Sequence, residues 1–72
     1  MAKEEVIQME GVIVEVLPNT QYRVQIDTFE RPILAQLNGR MKMHNIKVLA
    51  GDRVSLEFSV YDLARGRITR RL

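Results

Sequence analysis

A chain of 72 residues without a cysteine has room for one domain, residues 1–72, and must stabilise it by apolar burial, because disulfides and thiolate–metal sites are excluded. No apolar run approaches the roughly 18–20 residues of a membrane span, and the opening Met1-Ala2-Lys3-Glu4-Glu5 is too acidic and polar for a signal peptide. The net charge is +2, and a reducing cytoplasm is the expected setting.

Val6 to Leu17 reads as one long strand. Val12, Val14 and Val16 alternate on one side, and Met9, Ile13 and Leu17 fall on the other. Apolar residues on both sides suit a strand that coils around a barrel and serves two packing surfaces. Gly11 is the expected bend or bulge. Leu17-Pro18-Asn19-Thr20 is a turn, with proline presetting φ and asparagine able to enter the left-handed region. Gln21 to Asp27 alternates strictly, placing Tyr22, Val24 and Ile26 inward and Arg23 and Gln25 outward.

Thr28-Phe29-Glu30-Arg31 breaks the pattern. Pro32 to Leu37 is a third strand, with Ile33, Ala35 and Leu37 inward and Leu34 and Gln36 outward. Gly39 ends it. Arg40 to Lys47 alternates poorly and favours a short helix, in which Met41, Met43 and Ile46 plug the barrel end while Arg40, Lys42 and Lys47 point out. Ala50-Gly51-Asp52 is a turn. Arg53 to Ser59 is the fourth strand, with Val54, Leu56 and Phe58 inward. Val60 to Gly66 is a loop with one helical turn, capped by Asp62 and ended by Gly66. Arg67 to Leu72 is the fifth strand, with Ile68 on its apolar side.

Five short strands, a bent first strand and a small element between the third and fourth predict an all-β fold. The architecture is a five-stranded Greek-key OB barrel with a short helical segment between strands three and four. A five-stranded SH3-like barrel is the alternative.

Charge is unevenly placed along the chain. Residues 1–36 hold Lys3, Arg23 and Arg31 against six acids, a balance of −3. Residues 37–72 hold eight bases against Asp52, Glu57 and Asp62, a balance of +5. Apart from Arg53, the late bases fall mainly in segments read as loops or chain end. Such asymmetry points to nucleic acid or an acidic partner.

Catalysis finds no support in this pattern, and no catalytic residue, cofactor or metal is expected. His44 is the single histidine and reads as a surface residue or an RNA contact. No phosphate-binding or dinucleotide glycine pattern occurs, and Glu4-Glu5 sits at a terminus expected to fray. OB barrels bind on strands two and three and the loops beside them, here Arg23, Gln25, Leu34 and Gln36, flanked by Tyr61, Arg65 and Arg67. Alternation buries Tyr22 and Phe58 and leaves Phe29 and Tyr61 exposed. So few rings make a poor platform for stacking single-stranded bases. Phosphate contact with a folded RNA fits better.

Gly11, Leu17-Pro18-Asn19, Gly39-Arg40-Met41, the run Ile46 to Val54 and Tyr61-Asp62-Leu63-Ala64-Arg65-Gly66-Arg67-Ile68 stand in a specific order. In these motifs the chain resembles bacterial and organellar translation initiation factor one, from about Ala2 to Arg71. The resemblance implies an OB fold, no enzymatic activity, and binding at the decoding (A) site of the small ribosomal subunit through ribosomal RNA. A ribosomal protein is a further expected contact, initiation factors two and three are expected partners, and the factor would block premature tRNA entry as a monomer. It implies a bacterial cytoplasm, or an organelle stroma or matrix, and no membrane partner. Carried over by position, Arg40, Lys42, Lys47, Arg65, Arg67 and Arg71 contact RNA. With Tyr61 on the fourth loop and Arg70 at the chain end, the expected RNA-binding set is complete. Thr28-Phe29-Glu30-Arg31 is bulkier than the usual glycine turn, Val60 replaces a common proline, and Asn45 and Arg70 replace common aromatics. A cold-shock-like chaperone of single-stranded RNA is the alternative function, and an adaptor for an acidic protein is a third.

Overall fold

The computed structural model describes residues 5–72. Five strands and one helix follow in the order β1 (Val6–Leu17), β2 (Gln21–Ile26), β3 (Ile33–Leu37), α1 (Gly39–Met43), β4 (Arg53–Ser59) and β5 (Arg65–Arg71). They close into a barrel with neighbours β1-β2-β3-β5-β4. All pairings are antiparallel except β3 with β5. The helix between β3 and β4 carries the chain across the barrel end, which makes that parallel pairing reachable. This is the OB order expected from the sequence.

The core is built by alternation. Val24, Ala35, Val54, Leu56 and Ile68 are fully buried, joined by Tyr22, Ile26, Ile33, Leu37 and Phe58. Each burial on the order of a valine or leucine side chain contributes about 1.5–3 kcal/mol.

Strand β1 departs from the sequence reading. Its inward residues are Ile7, Met9, Gly11 and Ile13, whereas Val14 and Val16 are about half exposed. The valine side therefore does not serve a second packing surface. The register with β2 passes from Ile13 opposite Val24 to Glu15 opposite Arg23, so the bulge falls at Val14 and not at Gly11. Gly11 has a different task. A Cβ there would meet Val24 Cγ1 at 2.7 Å and the Gln25 carbonyl at 2.8 Å. The glycine lets β1 and β2 approach closely where the strand crosses the barrel.

The β1–β2 turn runs through Asn19 at φ 63° and Thr20 at φ 57°. Asparagine enters the left-handed region as expected, and the threonine beside it does so as well. In the next connection Phe29 packs edge-on against Phe58, with ring centroids 5.8 Å apart. Gln25 donates from Nε2 to the Phe29 carbonyl at 2.7 Å and to that of Ile26 at 3.0 Å. Phe29 is thus partly buried against the core, contrary to the exposed position expected, and Gln25 holds the loop.

Helix α1 is short because both ends are capped. The Asn38 side chain accepts from the Met41 N–H at 2.8 Å, an N-cap that the reading of Gly39 as a strand end does not include. At the other end Ile46 N–H donates to the Met41 carbonyl at 3.0 Å and Asn45 N–H to that of Lys42 at 3.2 Å, with Asn45 at φ 54°. Those paired bonds form a Schellman cap, in which asparagine is favoured over an aromatic. The replacement at Asn45 is therefore suited to its backbone. Met41 is buried and Ile46 half-buried, as expected of a plug, but Met43 is 77% exposed.

The turn before β4 places Gly51 at φ 96°. Asp52 accepts from the Leu49 N–H at 2.8 Å, and the turn bonds to both backbone groups of Ile13. The β4–β5 loop contains turns and no helix. Asp62 accepts from the Ala64 N–H at 3.2 Å, and β5 begins at Arg65, two residues earlier than expected. Gly66 consequently lies inside the strand and does not end a helical turn. Of the Glu4-Glu5 pair, Glu4 lies outside the described residues. Glu5 is exposed, and its carbonyl accepts from the Val60 N–H at 3.4 Å.

Candidate nucleic-acid interface

Arg65, Arg67, Arg70 and Arg71 stand on β5. Arg65 thereby moves from the expected loop onto the strand, which starts two residues early, while Arg67, Arg70 and Arg71 lie on the fifth strand as expected. Gly66 and Ile68 point inward between them, so Arg65 and Arg67 share the outer side. Parallel pairing sets Arg65 beside Leu34 and Arg67 beside Gln36. Antiparallel pairing then sets Leu34 beside Arg23 and Gln36 beside Gln21. The outer surface of β2, β3 and β5 therefore carries two cross-strand rows, Arg23–Leu34–Arg65 and Gln21–Gln36–Arg67.

An open groove of about 410 Å³ runs along this surface under the β4–β5 loop. Gln21, Gln36, Arg65 and Arg67 line it, together with Glu57 and Asp62. The two carboxylates are groove residues absent from the set expected from the sequence. The outward phase of Glu57 on β4, alternating with Leu56 and Phe58, is the available signal. Tyr61 does not line the groove. Its ring stands on the loop, 84% exposed, while its N–H donates to Ser59 Oγ at 3.0 Å.

A second groove, of about 350 Å³, lies between α1 and the end of β5. Arg40, His44, Arg70 and Arg71 line it over Met41 and Ile46. The register between β4 and β5 skips Thr69, which stands out as a bulge between Ile68 and Arg70. Its hydroxyl donates to the Ser55 carbonyl at 3.2 Å. Arg71 donates from Nη1 to the Lys47 carbonyl at 3.1 Å. Lys42 and Lys47 are exposed and line neither groove.

Ion pairs sort these cations. Arg23 pairs with Glu15 at 3.0 Å, Arg53 with Glu10 at 3.6 Å and Asp27 at 3.8 Å, and Arg67 with Glu57 at 3.8 Å. Among the described residues, Arg40, Lys42, Lys47, Arg65, Arg70 and Arg71 have no acid within salt-bridge distance, and neither does Arg31 on the β2–β3 loop. Cations placed this way can contact phosphates without first breaking an internal pair. Among the described residues, no group of three or more histidines, cysteines or acids could hold a metal, and no helix is long and apolar enough to cross a membrane.

Known proteins share this sequence pattern and fold. The family model described as translation initiation factor 1A / IF-1 matches residues 1–72. The translation initiation factor IF-1 of Rhodopseudomonas palustris is 56% identical over 68 residues, covering 94% of this chain and 73% of the relative. The solution structure of translation initiation factor one from the Wolbachia endosymbiont of Brugia malayi superposes with a TM-score of 0.75 at 36% identity, covering 93% of this chain and 78% of that one. The crystal structure of YjeQ from Thermotoga maritima superposes with a TM-score of 0.72 at 26% identity, covering 92% of this chain but 23% of that protein. The same barrel thus also occurs within a larger chain. A family match over the full sequence, with a solved member on the same closed barrel, places this protein in the translation initiation factor 1A / IF-1 family, a family of translation factors and not of enzymes.

Proposed function

We propose that this factor binds the small ribosomal subunit at the decoding site through ribosomal RNA during initiation. By occupying that site it blocks premature entry of a tRNA, in concert with initiation factors two and three. The observation that carries the reading is the set of cations on α1, the segment after it and β5, which the protein's own described acids leave unpaired. Arg40, Lys42, Lys47, Arg65, Arg70 and Arg71 contact phosphates in this reading. Arg67 joins them at the expense of a long, exposed pair, and Tyr61 supplies one ring. Arginine suits the task because its planar fork meets phosphate oxygens in pairs.

Chemical probing of ribosomal RNA in purified small subunits tests this. Added factor should protect decoding-site nucleotides and abolish tRNA binding there. Unchanged reactivity and unchanged tRNA entry at saturating factor would reject the reading. A cold-shock-like chaperone is disfavoured by the burial of Tyr22 and the packing of Phe29 on Phe58, which leave Tyr61 as the exposed ring. Stacking contributes about 1–3 kcal/mol per base, so one ring cannot sustain that function. Affinity for an unstructured oligonucleotide equal to that for the subunit would favour the chaperone instead.

A further inference from the structure

The two grooves differ in chemistry. Glu57 and Asp62 line the first, whereas among the described residues no carboxylate lines the second. Arg40 on α1 and His44 at its C-cap stand four residues apart and line the same groove. Arg70 and Arg71 face them from the end of β5, across a floor of Met41 and Ile46. Arg71 is held in place, since one of its five donors is bonded to the Lys47 carbonyl and the others stay available. A volume of about 350 Å³ lies in the range of small-molecule sites. An RNA helix is too wide for such a groove, while a single phosphorylated nucleoside is of its size. The guanidinium rim suits phosphate oxygens, and the apolar floor suits the flat part of the same ligand.

We propose that the groove between α1 and the end of β5 is a nucleotide site, binding a phosphate group that carries a nucleoside. The ligand is a free nucleoside polyphosphate or the 5′-phosphorylated end of an RNA, two sources of one chemistry. Its occupation would compete with the subunit for Arg40, Arg70 and Arg71, a consequence that rests on the function proposed above.

Amide spectra of the full chain, titrated with magnesium-free ATP, inorganic triphosphate and a 5′-phosphorylated trinucleotide, test the proposal. ATP should give saturable shifts confined to residues 40–46 and 69–72. Inorganic triphosphate should move the arginine amides without the accompanying shifts at Met41 and Ile46. The double variant Arg40→Ala/Arg70→Ala should weaken ATP binding about tenfold or more. Arg31→Ala, which removes one charge from a loop elsewhere, should leave it unchanged. If ATP or the trinucleotide binds at the groove, the tighter of the two identifies the source. Shifts spread over every cation, equal weakening by Arg31→Ala, or identical floor shifts with inorganic triphosphate would each overturn the proposal. Subunit sedimentation without nucleotide reads the ribosomal function separately, so failure of one does not imply failure of the other.

Discussion

Two populations of arginine share the strands and helix of this small barrel, apart from Arg31, which stands on the β2–β3 loop with no described acid within reach. Arg23 on β2 and Arg53 on β4 both flank β1 and are held by Glu15, Glu10 and Asp27. Arg40, Arg65, Arg70 and Arg71 lie on α1 and β5, with no described acid within reach. Arg67 is intermediate, 3.8 Å from Glu57 and well exposed. Net charge does not distinguish them, but register does. Antiparallel pairing sets Glu15 directly opposite Arg23, whereas parallel pairing sets Arg65 beside Leu34. Arg65 stays available to a partner because the residue beside it on β3, Leu34, offers no carboxylate.

The largest effect should come from the core under both populations. Ile68 is fully buried between Arg67 and Arg70. Ile68→Ala should cost about 2–5 kcal/mol, seen as a lowered denaturation midpoint, and should remove subunit binding with the fold. Next, Arg40→Ala/Arg70→Ala should weaken subunit binding by roughly tenfold or more, at about 1.5–3 kcal/mol per charged hydrogen bond, with a melting temperature close to wild type. Arg65→Ala should behave likewise. Unfolding by these changes would mark the arginines as structural and erase the distinction.

Smaller effects sharpen the comparison. Arg53→Ala should cost about 0.2–1 kcal/mol of stability, the usual range for exposed pairs, and leave subunit affinity unchanged in a sedimentation assay. Glu57→Gln should release Arg67 and tighten subunit binding severalfold, by up to about 1 kcal/mol. A loss of binding would instead assign Glu57 a direct contact.

How far the sequence carries depends on the segment. Alternation places every inward residue of β2, β3 and β4, because every other residue of each is apolar and the side between carries polar residues, with Leu34 the apolar exception. Strand β1 has valines on the solvent side as well, so periodicity cannot choose between the sides or show that the bulge sits at Val14. Helix α1 is legible as a cationic cap, but its extent is not. It depends on the Asn38 cap and on the left-handed Asn45, which are local hydrogen-bond choices. The start of β5 is hidden because Gly66 resembles a helix terminator, whereas its place is beside Ile33 and Phe58 in the barrel. The candidate cations are legible individually. Their sorting into paired and unpaired is not, since that depends on which strands are neighbours.

The salt dependence of binding to isolated small subunits reports whether the unpaired cations meet phosphates. Each phosphate contact contributes about −0.7 to −0.9 to the slope of log affinity against log salt. The six unpaired cations of α1, the segment after it and β5 should give a slope of roughly −4 to −5, reduced by about 1.5 in Arg40→Ala/Arg70→Ala and unchanged in Arg53→Ala. A slope near zero, or the same slope in all three proteins, would contradict that contact.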